Sequence, residues 1–128
     1  MNNTAVPGPL VLVVDDNARN LKLARDVLAA AGIRTVGAES GAEAIELAEE
    51  HRPDVILMDI RLPDMDGTDA ARAIAAGART ASIPVVALTS LKLEDDSRWY
   101  LDAGFAGHLE KPIDVEAFPA QVRGFLTG

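Results

Sequence analysis

The sequence predicts an α/β domain of three layers, in which helices cover both faces of a five-stranded parallel sheet. Five short apolar runs alternate with five amphipathic stretches along the 128 residues. Several of the runs are continuous rather than alternating in polarity, as expected of strands that are buried on both faces. A strand–helix order repeated in this way joins parallel strands through right-handed crossovers. We therefore predict a doubly wound sheet with five helices.

Five apolar segments are predicted as the strands. They are Leu10–Val14, Ile33–Val36, Val55–Met58, Val85–Leu88 and, with a weaker pattern, Gly107–Leu109. Residues 1–9 include Pro7, Gly8 and Pro9 and are predicted to form a flexible lead. This lead has neither the basic region nor the apolar region of a secretory signal. The folded domain is expected to span residues 10–128.

Apolar residues spaced by three and four positions predict the helices between the strands. Gly32 is predicted to close the first helix. Ser40 and Glu43 form a capping box that predicts the start of the second helix, and Pro53 marks its end. The apolar stripes of the first and last helices are Leu21, Ala24, Leu28 and Ala31, and Val115, Phe118, Val122 and Phe125.

The last two helices carry signals at their N-terminal ends. The acidic run Glu94-Asp95-Asp96 is predicted to start the fourth helix, because acidic side chains are favoured at the positive end of the helix dipole. Pro119 falls inside the apolar stripe of the fifth helix, where it removes a backbone donor. The fifth helix is therefore expected to begin near Glu116 or to have a distorted first turn.

The charge composition argues against a general nucleic-acid binder. Twelve basic side chains stand against 20 acidic ones, which gives a net charge of −8 and a pI near 4.6, whereas nonspecific affinity for nucleic acid comes from basic patches. The absence of cysteine excludes disulfides, thiol nucleophiles and cysteine-based zinc sites. No apolar segment approaches the ~20 residues of a membrane span. We expect a cytoplasmic protein that binds neither nucleic acid nor membrane.

Polar side chains follow the ends of four predicted strands. These residues are Asp15 and Asp16 after the first strand, Asp59 after the third, Thr89 after the fourth and Lys111 after the fifth. Because doubly wound sheets bind ligands outside the carboxyl ends of their strands, we expect these side chains to converge. Clustered carboxylates repel one another, and a hard dication relieves that repulsion. Oxygen ligands without His or Cys favour Mg²⁺, which leaves a position open for a phosphoryl oxygen.

Each of these residues has a simpler interpretation when it is taken alone. Asp15 and Asp16 are typical N-cap residues, and one of them is expected to cap the first helix as well as to bind metal. Thr89 alone is typical of a turn and Lys111 of an exposed surface. Two acidic residues directly after an apolar strand exceed what a cap requires, so the metal-binding interpretation is favoured.

From Leu10 to Leu126 the chain resembles the receiver domain of bacterial two-component response regulators, in which the same motifs follow one another in the same order. The matching residues are Asp15-Asp16, Met58-Asp59, Pro63 and Gly67 within Leu-Pro-Asp-Met-Asp-Gly, Thr89, and Lys111-Pro112. One such motif is common by chance, whereas five in this order at strand ends are specific. The resemblance implies a CheY-like domain with the flavodoxin-like strand order 2-1-3-4-5.

The resemblance also implies a phosphorylation site. Asp59 would accept a phosphoryl group from a phosphohistidine on a sensor histidine kinase or a histidine phosphotransfer protein. Asp16, Asp59 and the backbone carbonyl of Arg61 would bind Mg²⁺ directly, and Asp15 would act mainly through a bound water. The product would be an acyl phosphate formed by in-line displacement.

Thr89 and Lys111 would then each hold an oxygen of the phosphoryl group. In this family an aromatic residue usually stands where this chain has His108, and it swings inward as the threonine moves. His108 is therefore either the switch residue of this chain or a static surface residue. The Lys111–Pro112 peptide is often cis in such proteins. The expected output is protein binding through the face of the fourth helix, fifth strand and fifth helix, or transfer of the phosphoryl group in a phosphorelay. The protein is expected to be a monomer or a weak dimer and not an enzyme.

Two other functions stay open. Asp64-Met65-Asp66-Gly67-Thr68 matches the Asp-x-Asp-Gly-Thr signature of haloacid-dehalogenase-like phosphatases, whose nucleophile directly follows an apolar strand. Pro63 intervenes here and Asp59 already stands at the strand end, so we interpret this match as coincidence. The second alternative is a receiver-like module that binds partners without being phosphorylated. Both a stand-alone protein and a domain of a hybrid kinase fit the sequence.

Overall fold

The computed structural model of the chain describes residues 8–89 and 104–126. Its strands are β1 Leu10–Val14, β2 Arg34–Ala38, β3 Val55–Asp59, β4 Val85–Thr89 and β5 Gly107–Glu110. Neighbouring strands pair in parallel, and the sheet order is β2-β1-β3-β4-β5. This arrangement confirms the predicted doubly wound sheet and its predicted strand order.

The strand bounds agree closely with the sequence pattern, and the largest difference concerns β2. The predicted second strand covers Ile33–Val36, whereas β2 extends to Ala38. Gly37 and Ala38 belong to the strand because they pair with Val13 and Val14 of β1. Pairing with a buried neighbour, rather than local apolarity, sets the end of this strand.

Four helices lie in the described residues. They are α1 Ala18–Ala30, α2 Gly41–His51, α3 Gly67–Ala76 and α4 Phe118–Leu126. Helix α4 is the one predicted as the fifth of the chain. The predicted fourth helix, with its acidic start at Glu94-Asp95-Asp96, falls among residues 90–103, outside the described residues, as do residues 1–7 of the predicted lead. None of the four helices is long and apolar enough to cross a membrane.

An asparagine, not an aspartate, caps helix α1. Asn17 Oδ1 accepts hydrogen bonds from the backbone N–H groups of Arg19 and Asn20, both at 3.0 Å. The predicted capping role for Asp15 or Asp16 is therefore wrong. The Asp15 carboxylate instead accepts the backbone N–H of Asn17 at 2.9 Å, because the helix begins beyond the strand end and the side chain of Asn17 is the one that reaches its first donors.

The predicted cap of α2 is confirmed, whereas α4 begins at a different residue from the one predicted. Ser40 Oγ accepts the backbone N–H of Glu43 at 3.1 Å, which confirms the predicted cap of α2. Helix α4 begins at Phe118 rather than near Glu116. Pro119 therefore lies in the first turn, where its missing N–H leaves no helical hydrogen bond unmade.

A separate apolar cluster covers each face of the sheet. On one face Leu12 and Ile56 pack with residues of α2 and α3. On the other face Val11 and Leu57 pack with residues of α1 and α4. Strand β3 is buried along its whole length, so Asp59, its last residue, is held by packing on both sides.

The strand order places the site. Strand β1 lies between β2 and β3, so the chain reverses its direction across the sheet after β2. Val14 pairs with Met58, and the next residues, Asp15 and Asp59, therefore leave the sheet side by side. This reversal creates a crevice at the carboxyl ends of β1 and β3, where doubly wound sheets bind their ligands.

Candidate functional site

A cavity of about 310 Å³ opens at the carboxyl ends of the central strands. The predicted site residues that line it are Asp15, Asp16, Asp59, Arg61, Thr89 and Lys111. They come from segments far apart in sequence and meet because parallel strands end at the same edge of the sheet. The sequence-based expectation that these side chains converge is met by this arrangement.

Lys111 connects the two buried carboxylates of the cavity. Its ammonium donates to Asp59 Oδ2 at 2.9 Å and to Asp15 Oδ2 at 3.3 Å. The side chains of Asp15 and Asp59 are only 4% and 7% exposed, and that of Lys111 is 19% exposed. These ion pairs are therefore much less screened by water than a surface pair. The peptide bond from Lys111 to Pro112 is cis.

The electrostatics of the cluster show an excess of negative charge. Burial raises the pKa of the Asp15 carboxyl and the charge of Asp59 raises it further, against the lowering effects of the Asn17 N–H and Lys111. Burial acts to lower the pKa of Lys111, but its hydrogen bond to Asp59 and the charges of both carboxylates outweigh burial and raise it. Lys111 is therefore held as a cation. Its single positive charge does not fully offset the rise in the pKa of Asp15 that burial and the charge of Asp59 cause.

The acidic residues also form a group with the dimensions of a metal site. Carboxylate oxygens of Asp15, Asp16 and Asp59 lie within 4.8 Å of one another. Asp15 and Asp59 are buried, and Asp16 is exposed at the mouth of the cavity. Hard oxygen donors of this kind suit Mg²⁺, and the ammonium already held between two of them shows that the cluster attracts cations. The donor set therefore fits Mg²⁺.

Arg61 lies beside this group in the loop after β3. Its backbone N–H donates to Asp59 Oδ1 at 2.9 Å, so both oxygens of Asp59 accept a hydrogen bond from the protein. Arg61 lines the cavity, and the assignment of its carbonyl as a metal ligand stays a prediction. Its proximity to Asp59 follows from the tight turn that begins directly after the strand.

A close backbone approach shapes the same loop. The N–H of Gly67 donates to the carbonyl of Ile60 at 2.9 Å, and a bridge joins Arg61 to Asp66. A Cβ atom at Gly67 would overlap the carbonyl oxygen of Asp59 and lie 2.6 Å from the Cα of Ile60. Only glycine fits here without moving the backbone of the predicted acceptor.

The two predicted switch residues share one face of the sheet. Thr89 pairs with Glu110, and Ala87 pairs with His108. Because side chains alternate along a strand, Thr89 and His108 point to the same side from neighbouring strands. Thr89 is buried and His108 is half-buried. The coupled movement of the two residues stays a prediction, as does the choice between a switch and a static role for His108.

Sequence reasoning missed the roles of two asparagines. Asn17 and Asn20 line the cavity on the α1 side, and Asn17 also donates its N–H to Asp15. The signal that was available is the Asp-Asp-Asn order at the predicted helix start, where Asn is as good a cap as Asp.

The phosphatase-like motif does not lie at a strand end. Asp64 sits in the loop after β3, is exposed, and directs its carboxylate to the backbone N–H groups of Gly41 and Ala42 in α2. Asp66 precedes α3 as its N-cap residue. Asp59 is the aspartate that closes the central strand, so the geometry argues against Asp64 as a nucleophile.

A family comparison identifies this class of site. A model of the response regulator receiver domain matches residues 11–123. The chain belongs to the response regulator receiver domain family and is a CheY-like receiver domain of two-component systems. Phosphoryl acceptance, Mg²⁺ binding at the acidic site and interaction with sensor kinases and downstream targets are general for this family.

Individual relatives support the same assignment. The polar-differentiation response regulator DivK of Brucella anthropi is 37% identical over 116 residues, which cover 91% of this chain and 94% of that protein. The chemotaxis response regulator CheY4 of Vibrio cholerae has a TM-score of 0.86 at 27% identity, covering 92% and 98% of the two chains.

A third relative is the receiver domain of a sensor histidine kinase from Pseudomonas aeruginosa. It has a TM-score of 0.84 and 33% identity over 94% of this chain and 99% of that one. In its structure a magnesium ion is coordinated in the active-site cleft. Relatives of this chain thus include both response regulators and a domain of a larger kinase.

Proposed function

We propose that the protein accepts a phosphoryl group on Asp59 in the presence of Mg²⁺ and signals in that state by binding another protein. The observation that carries the proposal is the convergence of Asp59, Lys111 and two further carboxylates in one cavity at the strand ends. The donor would be a phosphohistidine of a sensor histidine kinase or histidine phosphotransfer protein, as is general for the family.

The transfer step follows from the position of Asp59. A carboxylate oxygen of Asp59 attacks phosphorus, the P–N bond of the phosphohistidine breaks, and its electron pair returns to the imidazole nitrogen, which takes a proton from solvent. Hydrogen bonds from Arg61 N–H and Lys111 fix the orientation of the carboxylate before reaction. Positioning and charge neutralisation are the main sources of rate in phosphoryl transfer.

The other site residues serve charge balance. Asp16, Asp59 and the backbone carbonyl of Arg61 would hold Mg²⁺, with Asp15 acting mainly through a water, and the ion would supply positive charge against the phosphoryl oxygens and the carboxylates. Lys111 already carries its ammonium beside the accepting carboxylate and is placed to pair with a phosphoryl oxygen. Thr89 lines the same cavity, where its hydroxyl is a hydrogen-bond donor for another oxygen.

The protein is a switch in this proposal rather than an enzyme, because the group that it receives becomes bonded to its own side chain. The output is a change in protein binding at the face that includes β5 and α4, or transfer of the phosphoryl group to a further histidine. A module that binds without phosphorylation would not need a complete acceptor site. The presence of the acidic residues together with Lys111 therefore favours a protein that is phosphorylated over such a module.

The test is intact mass spectrometry after incubation with acetyl phosphate, with and without Mg²⁺. The wild type is expected to gain one phosphoryl group only when Mg²⁺ is present, and Asp59→Asn is expected to gain none. A wild type that gains no mass from acetyl phosphate or from a phosphohistidine donor would favour the phosphorylation-independent module. Sustained release of phosphate from a phosphomonoester would favour the phosphatase.

A further inference from the structure

An exposed aspartate joins the acceptor loop to a neighbouring helix. The two carboxylate oxygens of Asp64 accept the backbone N–H of Gly41 at 2.8 Å and that of Ala42 at 2.9 Å. Gly41 and Ala42 are the first two residues of α2, and 23 and 22 positions separate them from Asp64. Among the described contacts, none of the hydrogen bonds of Asp15, Asp59 and Lys111 involves Asp64, and the proposed function gives Asp64 no role.

These two hydrogen bonds complete the N-terminal end of α2. The first N–H groups of a helix have no partner within the helix. Ser40 Oγ accepts the third of them, from Glu43, and Asp64 accepts the first two. The hydrogen bonds from Gly41 and then Ala42 lower the pKa of the Asp64 carboxyl. The carboxylate therefore stays ionised at neutral pH, and its charge suits the positive end of the helix dipole.

The loop that carries Asp64 also carries the residues beside the acceptor. It runs from Ile60 to Asp66, and its two ends are closed by the Arg61–Asp66 bridge and by the hydrogen bond from Gly67 to Ile60. Asp64 lies between these closed ends and is the point where the loop is tied to α2 by hydrogen bonds. Met65 adds a packing contact, since a Cβ atom at Gly41 would overlap its side chain.

We propose that Asp64 is a positioning residue, which clamps the loop after β3 to α2 and so holds Arg61 in place beside Asp59. The inference rests on the proposed function, because the clamp is proposed to maintain the geometry of the site that binds Mg²⁺ and the phosphoryl group. Asp64 touches none of the reacting atoms. It acts through the backbone of the loop, whose Arg61 N–H orients Asp59.

The experiment compares Asp64→Ala with Ser40→Ala. Both variants remove side-chain acceptors from the same end of α2, but only the first releases the loop. Amide hydrogen exchange of Arg61 is measured by NMR in the metal-free proteins, with buried β1 amides as an internal reference for global opening. The Kd for Mg²⁺ is measured by calorimetry. Asp64→Asn, which retains one acceptor oxygen, serves as the conservative variant.

Asp64→Ala is expected to speed exchange of the Arg61 amide several-fold and to weaken Mg²⁺ binding by about threefold or more. This loss of affinity is smaller than the ~10–100-fold that is typical when a direct hydrogen-bond partner of a metal ligand is mutated. Ser40→Ala is expected to change neither value, and Asp64→Asn to fall between wild type and Asp64→Ala. The proposal is contradicted if Asp64→Ala matches the wild type in amide exchange and Mg²⁺ affinity, or if Ser40→Ala changes both values as much as Asp64→Ala does. If the wild type binds no Mg²⁺, the proposed function fails, and exchange of the Arg61 amide alone decides on the clamp.

Discussion

The ammonium of Lys111 donates to the carboxylate of Asp59 at 2.9 Å, although 52 positions separate the two residues in the chain. The same ammonium reaches Asp15 at 3.3 Å. Lys111 therefore bridges two buried carboxylates. The cluster combines a stabilising ion pair with an unfavourable excess of negative charge, and each can be tested by a single substitution.

Lys111→Met is expected to lower the free energy of unfolding at neutral pH by about 1–3 kcal/mol, because hydrogen bonds to charged groups are lost and two carboxylates are left facing each other. Urea unfolding in the absence of Mg²⁺ measures this change. Phosphoryl gain from acetyl phosphate is expected to fall as well.

The control for this substitution is Lys22→Met. Lys22 pairs with Asp26 at 2.6 Å on the surface, where the two side chains are 77% and 62% exposed. Exposed pairs contribute only about 0–1 kcal/mol, so the control is expected to change stability little. Equal effects of the two substitutions would contradict the role given to the Lys111 ion pairs.

Asp15→Asn is expected to stabilise the metal-free protein at neutral pH by roughly 0.5–2 kcal/mol while weakening Mg²⁺ binding. Such an exchange of stability for function is common where an active site holds unfavourable charge. The neutral amide removes a buried charge and still offers an oxygen to the N–H of Asn17. Urea unfolding and calorimetry measure the two effects, and a destabilised variant would show that Asp15 is well compensated.

The stability difference between Asp15→Asn and wild type is expected to depend on pH. Burial raises the folded-state pKa of Asp15 above its usual value of 3.8. A raised pKa means that the contribution of Asp15 to stability is fully present below pH 3.8 and is lost as pH rises through the folded-state pKa. The advantage of the variant should be greatest at neutral pH and shrink as pH falls. An advantage that stays constant from neutral pH to pH 3.8 would contradict the stated cause.

Gly67→Ala is expected to destabilise the protein by about 1–3 kcal/mol or more and to slow phosphoryl gain, because the new Cβ overlaps the carbonyl oxygen of Asp59. Gly124→Ala is the control, since a Cβ atom in that position of α4 has open space beyond the backbone of its own helix. The control is expected to stabilise by up to ~1 kcal/mol through helix propensity. Thermal unfolding of both variants tests the pair, and a silent Gly67→Ala would show that the loop adapts freely.

Much of the site was predictable from the sequence because of one property of parallel sheets. Residues that follow different strands meet at one edge, so Asp15, Asp59 and Thr89 could be placed together from the strand pattern alone. Lys111 could be placed near them for the same reason. Its bridge between two carboxylates is set by side-chain directions that no local pattern encodes.

The errors and omissions have a common physical cause. The sequence predicts that Asp15 or Asp16 caps α1, although Asn17 is the cap, because several residues in a row have suitable side chains and only the backbone path decides among them. The contact of Asp64 with Gly41 joins the loop after β3 to the first residue of α2, and nothing in the sequence near either residue signals it. The strand pattern thus predicts which segments meet, whereas individual hydrogen bonds depend on the completed fold.

The most direct test of the account is to locate the phosphoryl group. After reaction with acetyl phosphate and Mg²⁺, borohydride reduction converts an aspartyl phosphate to homoserine, and peptide mass spectrometry identifies the position. Homoserine at Asp59 alone, with none in protein that was not phosphorylated, is the result that we predict. Homoserine at Asp15, Asp16 or Asp64 with Asp59 unchanged would contradict the assignment of Asp59 as the acceptor.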